Sequence, residues 1–390
     1  MSQSDTPVVS IVRCDAYHSA DVILEHVRQA CDLVGGLESL IMPGDTVLLK
    51  PNLVQPYPYE TGTTTNPHLV EALVRLCREK GARRIVIADG SCVGADTWKA
   101  FENCGLVEVA ERTGAELVDF AKSEFQYVVN PLAKKMKRIR IPKDFIESNV
   151  VIDLPVMKTH DSLEVSLGLK NMKGLLQTSD KKRFHKWGLA QSIVDLNHIA
   201  RPDLTIIDGT VGMEGAGPTS GEPVNLGLLL TSKDVVAADT VALEAMGYTL
   251  DEVPYIRMAG EAGIGCANLA EIEIEGLAID EVRHPFKRNS IDPDLLVEMG
   301  IEFVARDACS GCANALASFM GMLNRRDALE TMRDTVFLYG QSVEKLPEER
   351  TRDKRVIRMG SCTRKLIDYG HYLPGCPPYP YHMLKDLGLE

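Results

Sequence analysis

No run of apolar residues in this 390-residue chain approaches the roughly 18 that a membrane-spanning helix needs. Glycine (31) and proline (20) are not in excess, which sets aside collagen-like and disordered classes. Basic charge is short: 43 Lys and Arg stand against 55 Asp and Glu, a net of −12. Nucleic acid and anionic membrane both call for a basic face, so neither is expected as the main partner. Residues 1–6 show no basic stretch leading into an apolar one, so the pattern of a secretory leader is missing and a cytoplasmic location is expected. Repeats, low-complexity tracts and long charged linkers are missing too. So are the phosphate loop G-x-x-x-x-G-K-[ST] and the dinucleotide fingerprint G-x-G-x-x-G. Without a G-x-S-x-G elbow, an ordinary serine hydrolase is not expected.

What is there is an alternation of short apolar strands and helices. Strands are predicted at 8–14, 45–53, 83–89, 116–120, 149–155, 203–208 and 226–231. Helices are predicted at 20–34, 67–80, 95–113 and 235–248, with a helix-rich insert over 163–199. Asn66 caps the second helix, Pro67 opens it and Gly81 ends it, the usual asymmetry of helix termini. Alternation of this kind predicts βαβ units and a doubly wound, mostly parallel α/β sheet over residues 1–285. A connector at 284–294 leads to a smaller α/β unit, residues 286–390, with a helix at 313–324, strands at 335–339 and 355–359, and a helix at 362–368.

In a parallel sheet, ligands bind beyond the carboxyl ends of the strands. The polar residues that follow each apolar run are therefore candidates for one crevice. They are Lys50 and Asn52, Asp89 and Ser91, the trio Lys158, Thr159 and His160, and Asp208. The segment SLGLKNMKGLL adds Lys170, Asn171 and Lys173. Lysines in a partly buried cleft favour an anionic group. Lys50, Lys158 and Lys170 would hold an anionic small molecule, and His160 would move protons. Asp89 and Asp208 would balance the lysines or hold a divalent metal. The glycine-rich stretch 212–223 reads either as a loop over the crevice that brings in Glu214 or as a plain surface turn. The run KKRFHK at 181–186 reads as a solvated face, and 134–143 as a half-exposed strand or hairpin.

Ten cysteines are more than packing requires. Cys31, Cys77 and Cys104 fall at apolar helical positions and read as core. Cys14 ends a strand, Cys92 at another strand end reads as packing or as approaching a site, and Cys266 has no motif. The last four, Cys309, Cys312, Cys362 and Cys376, stand at predicted strand-to-loop or helix-start positions. Four thiolates suit a [4Fe–4S] cluster or a structural zinc; redox-active or buried thiols are the remaining alternative. Zinc ribbons usually bring two C-x2-C pairs. One pair with two distant single cysteines favours the cluster. The turn Gly375-Cys376-Pro377-Pro378 is similar to the cluster-ligand turn of the small electron-transfer subunits of hydrogenases and respiratory complex I.

The motifs LLKPNLV (48–54), TTTNPHLVEAL (63–73), PVMKTH, LGLKNMKGLL and DGTVGMEGAGPTSG together resemble the family called domain of unknown function 362, over about residues 45–250. Members of that family are often joined to iron–sulfur modules. This chain departs from the commonest arrangement, because its C-terminal part lacks the ferredoxin-type run C-x2-C-x2-C-x3-C-P. The resemblance supports fold and cofactor and supplies no reaction. The residues and the resemblance favour an iron–sulfur redox enzyme or electron-transfer protein, with an electron-donor protein as a further partner. A non-redox hydrolase or lyase using iron or a divalent metal is the alternative, and a metal-stabilised binding protein the second alternative.

Overall fold

The computed structural model describes residues 6–288 and 291–389. The leader reading at 1–6 falls almost wholly outside the described residues, as do Asn289 and Ser290 of the connector. Sixteen strands are present: β1 Val8–Arg13, β2 Thr46–Pro51, β3 Arg84–Asp89, β4 Glu116–Asp119, β5 Phe125–Val129, β6 Arg138–Pro142, β7 Val150–Leu154, β8 Val156–His160, β9 Glu164–Ser166, β10 Leu204–Glu214, β11 Glu222–Ser232, β12 Glu273–Gly276, β13 Glu302–Ala305, β14 Thr335–Tyr339, β15 Arg355–Met359 and β16 His371–Leu373. The large sheet runs β12-β1-β11-β10-β7-β2-β3-β4, with β8 on β10 and β9 on β8. β11 is antiparallel to both β1 and β10, and β9 to β8; the other pairings are parallel.

Period-two alternation explains the two helical layers. Val47 and Leu49 of β2 and Ile85 and Ile87 of β3 enter one core, with the helices Ala20–Asp32, Pro67–Glu79 and Leu106–Thr113. Leu48, Val86 and Ala88 enter the other, with the helices Leu189–Asn197, Val235–Ala245 and Pro254–Glu261. Both faces are covered, which makes the sheet doubly wound and mostly parallel, as the alternation predicts. The second unit has its own core around Phe319, Phe337, Ile357 and Leu373, on an all-parallel sheet β13-β14-β15-β16. Among the described residues no helix is long and apolar enough to cross a membrane.

Several elements differ from expectation for identifiable reasons. The helix predicted over 95–113 is two, Thr97–Asn103 and Leu106–Thr113, because Gly105 adopts φ +81 between them. The predicted helix 362–368 is only a 3₁₀ turn, Ser361–Lys365. The basic stretch 134–143 agrees with its reading as a strand or hairpin: it contributes β6, which pairs with β5 in a separate antiparallel hairpin. The expected glycine-rich loop is shorter than the stretch 212–223: β10 continues through Glu214 and β11 starts at Glu222, leaving a turn at 215–221. Glycine serves close strand approach there, since a Cβ on Gly212 would lie 2.7 Å from the Met157 carbonyl.

One buried carboxylate fixes the segment that later supplies site lysines. Asp239, inside the helix Val235–Ala245, accepts from Gly168 N–H (2.7 Å) and Leu169 N–H (2.9 Å), the opening of the short helix Gly168–Asn171. Asp239→Ala would leave both donors buried and unpaired, at about 1–3 kcal/mol each. Urea denaturation is expected to show a loss of about 2–5 kcal/mol; an unchanged midpoint would show that the carboxylate does not hold this helix.

Candidate active site between the two units

β7, β2, β3 and β4 are parallel neighbours, so their carboxyl ends share an edge. A cavity of about 210 Å³ opens at this edge and is closed on its far side by the C-terminal unit. The large unit lines it with Asn52, Asp89, Ser91, His160, Lys170, Asn171, Lys173 and Lys181, among others; the small unit adds Gly311, Asn314, Ala315, Ser318 and Pro377–Pro380. Three hydrogen bonds tie the units together around it. Tyr379 Oη donates to Gln55 Oε1 (2.9 Å), Ser318 Oγ donates to Asp161 Oδ2 (3.0 Å), and His185 Nδ1 lies 3.1 Å from Ser310 Oγ.

Behind the wall lies a buried polar framework. Lys50 Nζ is 2.9 Å from Asp89 Oδ1, and both side chains are almost fully buried. Asp89 Oδ2 accepts from the Leu53 N–H at 2.8 Å. The pair leaves no room beside it: a Cβ on Gly174 would fall 2.0 Å from Asp89 Oδ1. Lys158 Nζ donates to Asn52 Oδ1 and to the Thr63 carbonyl (2.8 Å). Asn52 donates to Asn171 Oδ1 (2.8 Å), and Asn171 donates to Asp153 Oδ1 (2.8 Å). Burial, opposed by Lys50, pushes Asp153 up to about 7, and burial drives Lys158 well below the ordinary lysine range.

The cavity face is basic. Lys170 reaches Ser166 Oγ (3.2 Å), Lys173 reaches His185 Nε2 (3.1 Å), and Lys181 donates to the Gly90 and Ser91 carbonyls (2.7 and 2.8 Å). Desolvation brings Lys170 and Lys181 down to about 8. Desolvation, then Lys170, bring Lys173 to about 7. Desolvation, then Lys170, hold His160 at about 4, against Asp161, so the ring is neutral near pH 7. Its Nδ1 is 3.2 Å from the Ser162 N–H and 2.9 Å from Asp161 Oδ1.

Not every expected residue reaches the cavity. Lys50 and Lys158, expected to hold the ligand, stand behind the wall as its framework. Lys158, Thr159 and His160 belong to β8 itself rather than to a loop after a strand; β8 leaves β7 at Pro155. Thr159 Oγ1 faces away, donating to the Gly215 carbonyl (2.9 Å) and accepting from Gly217 N–H (3.2 Å). Asp208 sits mid-strand in β10, where Asn66 N–H, Thr210 N–H and Thr210 Oγ1 saturate its carboxylate at 2.6–2.9 Å. It does not line the cavity with Asp89, so the two carboxylates do not form one metal site. Glu214 turns to the connector, accepting from Lys287 N–H (3.1 Å). The 215–221 turn reaches the cavity through Pro218 and Thr219 instead. Sequence reading missed Lys181, taken for solvated and in fact buried, and His185. Cys92, whose place after Asp89-Gly90-Ser91 allowed either packing or approach to a site, lines the cavity. KKRFHK falls on the helix Thr178–Trp187, whose buried positions Asp180, Lys181 and Phe184 give it an inward face.

The four late cysteines collect at the carboxyl edge of the small sheet. Cys309 precedes the helix Ser310–Arg325 and Cys312 lies in its first turn. Cys362 follows β15 and Cys376 follows β16. Ser361 N–H and Oγ both donate to the Gly375 carbonyl (2.7 and 2.9 Å), which holds the last two loops together. Gly360 has φ +82, and a Cβ there would lie 2.8 Å from Cys312 Sγ. All four thiols are free. Burial first, then Cys309, Cys362 and Cys376, push Cys312 up to about 12. Cys312, raised this way, ionises when a cation compensates it, and four free thiols gathered at one edge fit a cysteine-ligated metal group. Among the described residues no three His, Cys, Asp or Glu side chains gather closely enough to hold a single metal ion.

Fold and site define an α/β protein whose lysine-lined crevice is roofed by a small parallel sheet bearing four cysteines. The family profile described as domain of unknown function, DUF362, matches residues 47–244, and the chain belongs to that family. The thylakoid-associated protein sll1697 of Synechocystis sp. is 29% identical over 263 residues, 66% of this chain and 79% of that protein. The solved lactate racemase apoprotein from Thermoanaerobacterium thermosaccharolyticum aligns with 90% of this chain and 82% of its own, at 12% identity and a TM-score of 0.43. A likeness that loose carries no residue role across.

The depressed lysines make a test of this electrostatic picture. Lys173 has an ordinary value of 10.5 when unfolded and about 7 in the fold. Between these values the unfolded chain binds more protons, so this amine destabilises the fold most near pH 7 and least near its ordinary value. Lys173→Met is therefore expected to be more stable than wild type at about pH 7, with an advantage that shrinks toward about pH 10. Urea melts across that range check it; a pH-independent difference would mean the amine is not depressed.

Proposed function

We propose that the protein is a redox enzyme carrying one [4Fe–4S] cluster on Cys309, Cys312, Cys362 and Cys376, and that it acts on an anionic small molecule held in the cavity. One observation carries the reading: the segments that bear the thiols also border the lysine-lined cavity. The helix that begins at Cys309 and Cys312 also supplies Gly311, Asn314, Ala315 and Ser318 to the cavity, and Pro377 and Pro378 follow Cys376 directly. The chain spacing of the cysteines, one C-x2-C pair with two distant single cysteines, supports a cluster over a zinc ribbon.

When bound, the cluster would supply or accept electrons one at a time beside the ligand. The protein's own residues do the rest. Lys170 and Lys173 bind the anion by charge. His160, neutral near pH 7 because burial holds it at about 4, is the imidazole that lines the cavity and would serve the ligand as a hydrogen-bonding group and weak base. The roof of Pro377–Pro380 and the helix Ser310–Arg325 limits water, which strengthens every charge interaction inside. Cys376 is exposed, so an electron-donor protein would approach from that side.

Anaerobic purification with iron, sulfide and zinc analysis tests the reading, together with spectra before and after dithionite. About four iron and four sulfide per chain, bleaching on reduction, are expected. Cys312→Ser and Cys362→Ser are each expected to lose the chromophore. One zinc without sulfide would overturn the cluster. A full cluster that resists reduction would move the chemistry to Lewis-acid catalysis, the non-redox alternative.

A further inference from the structure

The cavity's charges do not balance, and the imbalance describes its ligand. Among the described residues, Lys170, Lys173 and Lys181 make no ion pair; their recorded partners are a hydroxyl, an imidazole and two carbonyls. The carboxylates that line the cavity do not pair with these lysines: Asp89 pairs with Lys50, and Asp161 accepts from Ser318 through Oδ2 while its Oδ1 stands beside the neutral His160 ring. Lys170 and Lys173 stand three residues apart, one turn of chain, and each ammonium has three donors with one recorded acceptor. No arginine lines the cavity, so recognition is by clustered point charges and not by a planar fork. That suits a tetrahedral dianion with several acceptor oxygens. A second feature points to a donor on the same ligand. Asp161 Oδ1 is buried and has no hydrogen-bond partner, which a ligand hydroxyl would satisfy. At about 210 Å³ the space falls below the roughly 300–1,000 Å³ of drug-sized sites, which suits a small ligand.

We propose that the cavity binds a small phosphorylated hydroxy compound, its phosphoryl group on Lys170 and Lys173 and a hydroxyl on Asp161. This extends the reading of the cavity as an anion site given above, and it does not depend on the cluster.

The test uses the full chain as purified, by titration calorimetry at constant ionic strength. The probes are glycerol 3-phosphate, ethyl phosphate, inorganic phosphate and acetate. Saturable binding of all three phosphates is expected, with glycerol 3-phosphate tightest and acetate without effect. Lys170→Met and Lys173→Met are each expected to weaken glycerol 3-phosphate about ten-fold or more, while Lys186→Met, on the exposed side of the helix Thr178–Trp187, leaves it unchanged. Asp161→Asn should bring glycerol 3-phosphate down to the level of ethyl phosphate. Acetate equal to phosphate, or unaltered affinity in both lysine variants, would overturn the proposal. Equal binding of ethyl and glycerol phosphates would overturn the hydroxyl contact. If a variant fails to fold, the four probes on wild type decide alone. Phosphate binding by a protein that holds zinc would sink the redox reading and leave this one standing; a reducible cluster without phosphate binding would do the reverse.

Discussion

The buried ion pair Lys50–Asp89 is the constraint around which the large unit is arranged. It links the carboxyl ends of the strands β2 and β3, and the Leu53 N–H and Gly174 close around it. Two charges removed from water cost several kcal/mol each, and the attraction between them repays this only in a fixed geometry. Such a pair is weak evidence for stability and stronger evidence for a requirement of position. Here it sets where the 168–175 segment must lie, because only glycine at 174 fits against it. That segment carries Lys170, Asn171 and Lys173. The pair therefore acts on the cavity from behind, by fixing the wall whose outer face meets the ligand.

The same economy explains why the cysteines and the lysines meet. Both sheets are parallel where it matters, and parallel sheets put loops of related function at one edge. The large sheet's edge supplies cations, and the small sheet's edge supplies four free thiols. Facing the two edges toward each other places the lysine-lined cavity beside the loops that carry the thiols. Hydrogen bonds from Tyr379, Ser318 and His185 across the seam hold that arrangement, so the distance between ligand and thiols is set by the fold and not by a flexible arm.

Much of this was legible in the chain. Apolar runs ending in Lys50, Asp89 or Cys362 mark strand ends, because a buried strand turns polar where it leaves the core. The readings that failed did so where glycine or charge has two meanings. DGTVGME reads as loop, yet β10 continues through it, since Gly212 serves close strand contact; Asp208 is then mid-strand and saturated. KKRFHK reads as solvent-facing by composition, yet Lys181 is buried against two carbonyls. Composition fixes how much charge a helix carries and not which side faces a neighbouring unit. The seam itself has no local signature, for it depends on residues more than a hundred positions apart.

Buried lysines that form no ion pair among the described residues are a cost the fold carries. Desolvation and mutual repulsion lower each amine toward neutrality, so the free protein relieves part of the strain by shedding protons. Simple packing would have placed aliphatic side chains there. A wall that is locally unfavourable while the rest of the sequence agrees with its fold is what a binding site looks like from the standpoint of stability. The framework behind it, Lys158–Asn52–Asn171–Asp153, shows the opposite treatment: nearly every donor is matched and the side chains are locked. The contrast separates residues that hold the site from residues that wait for a ligand, and it places Lys170, Lys173 and Asp161 in the second group.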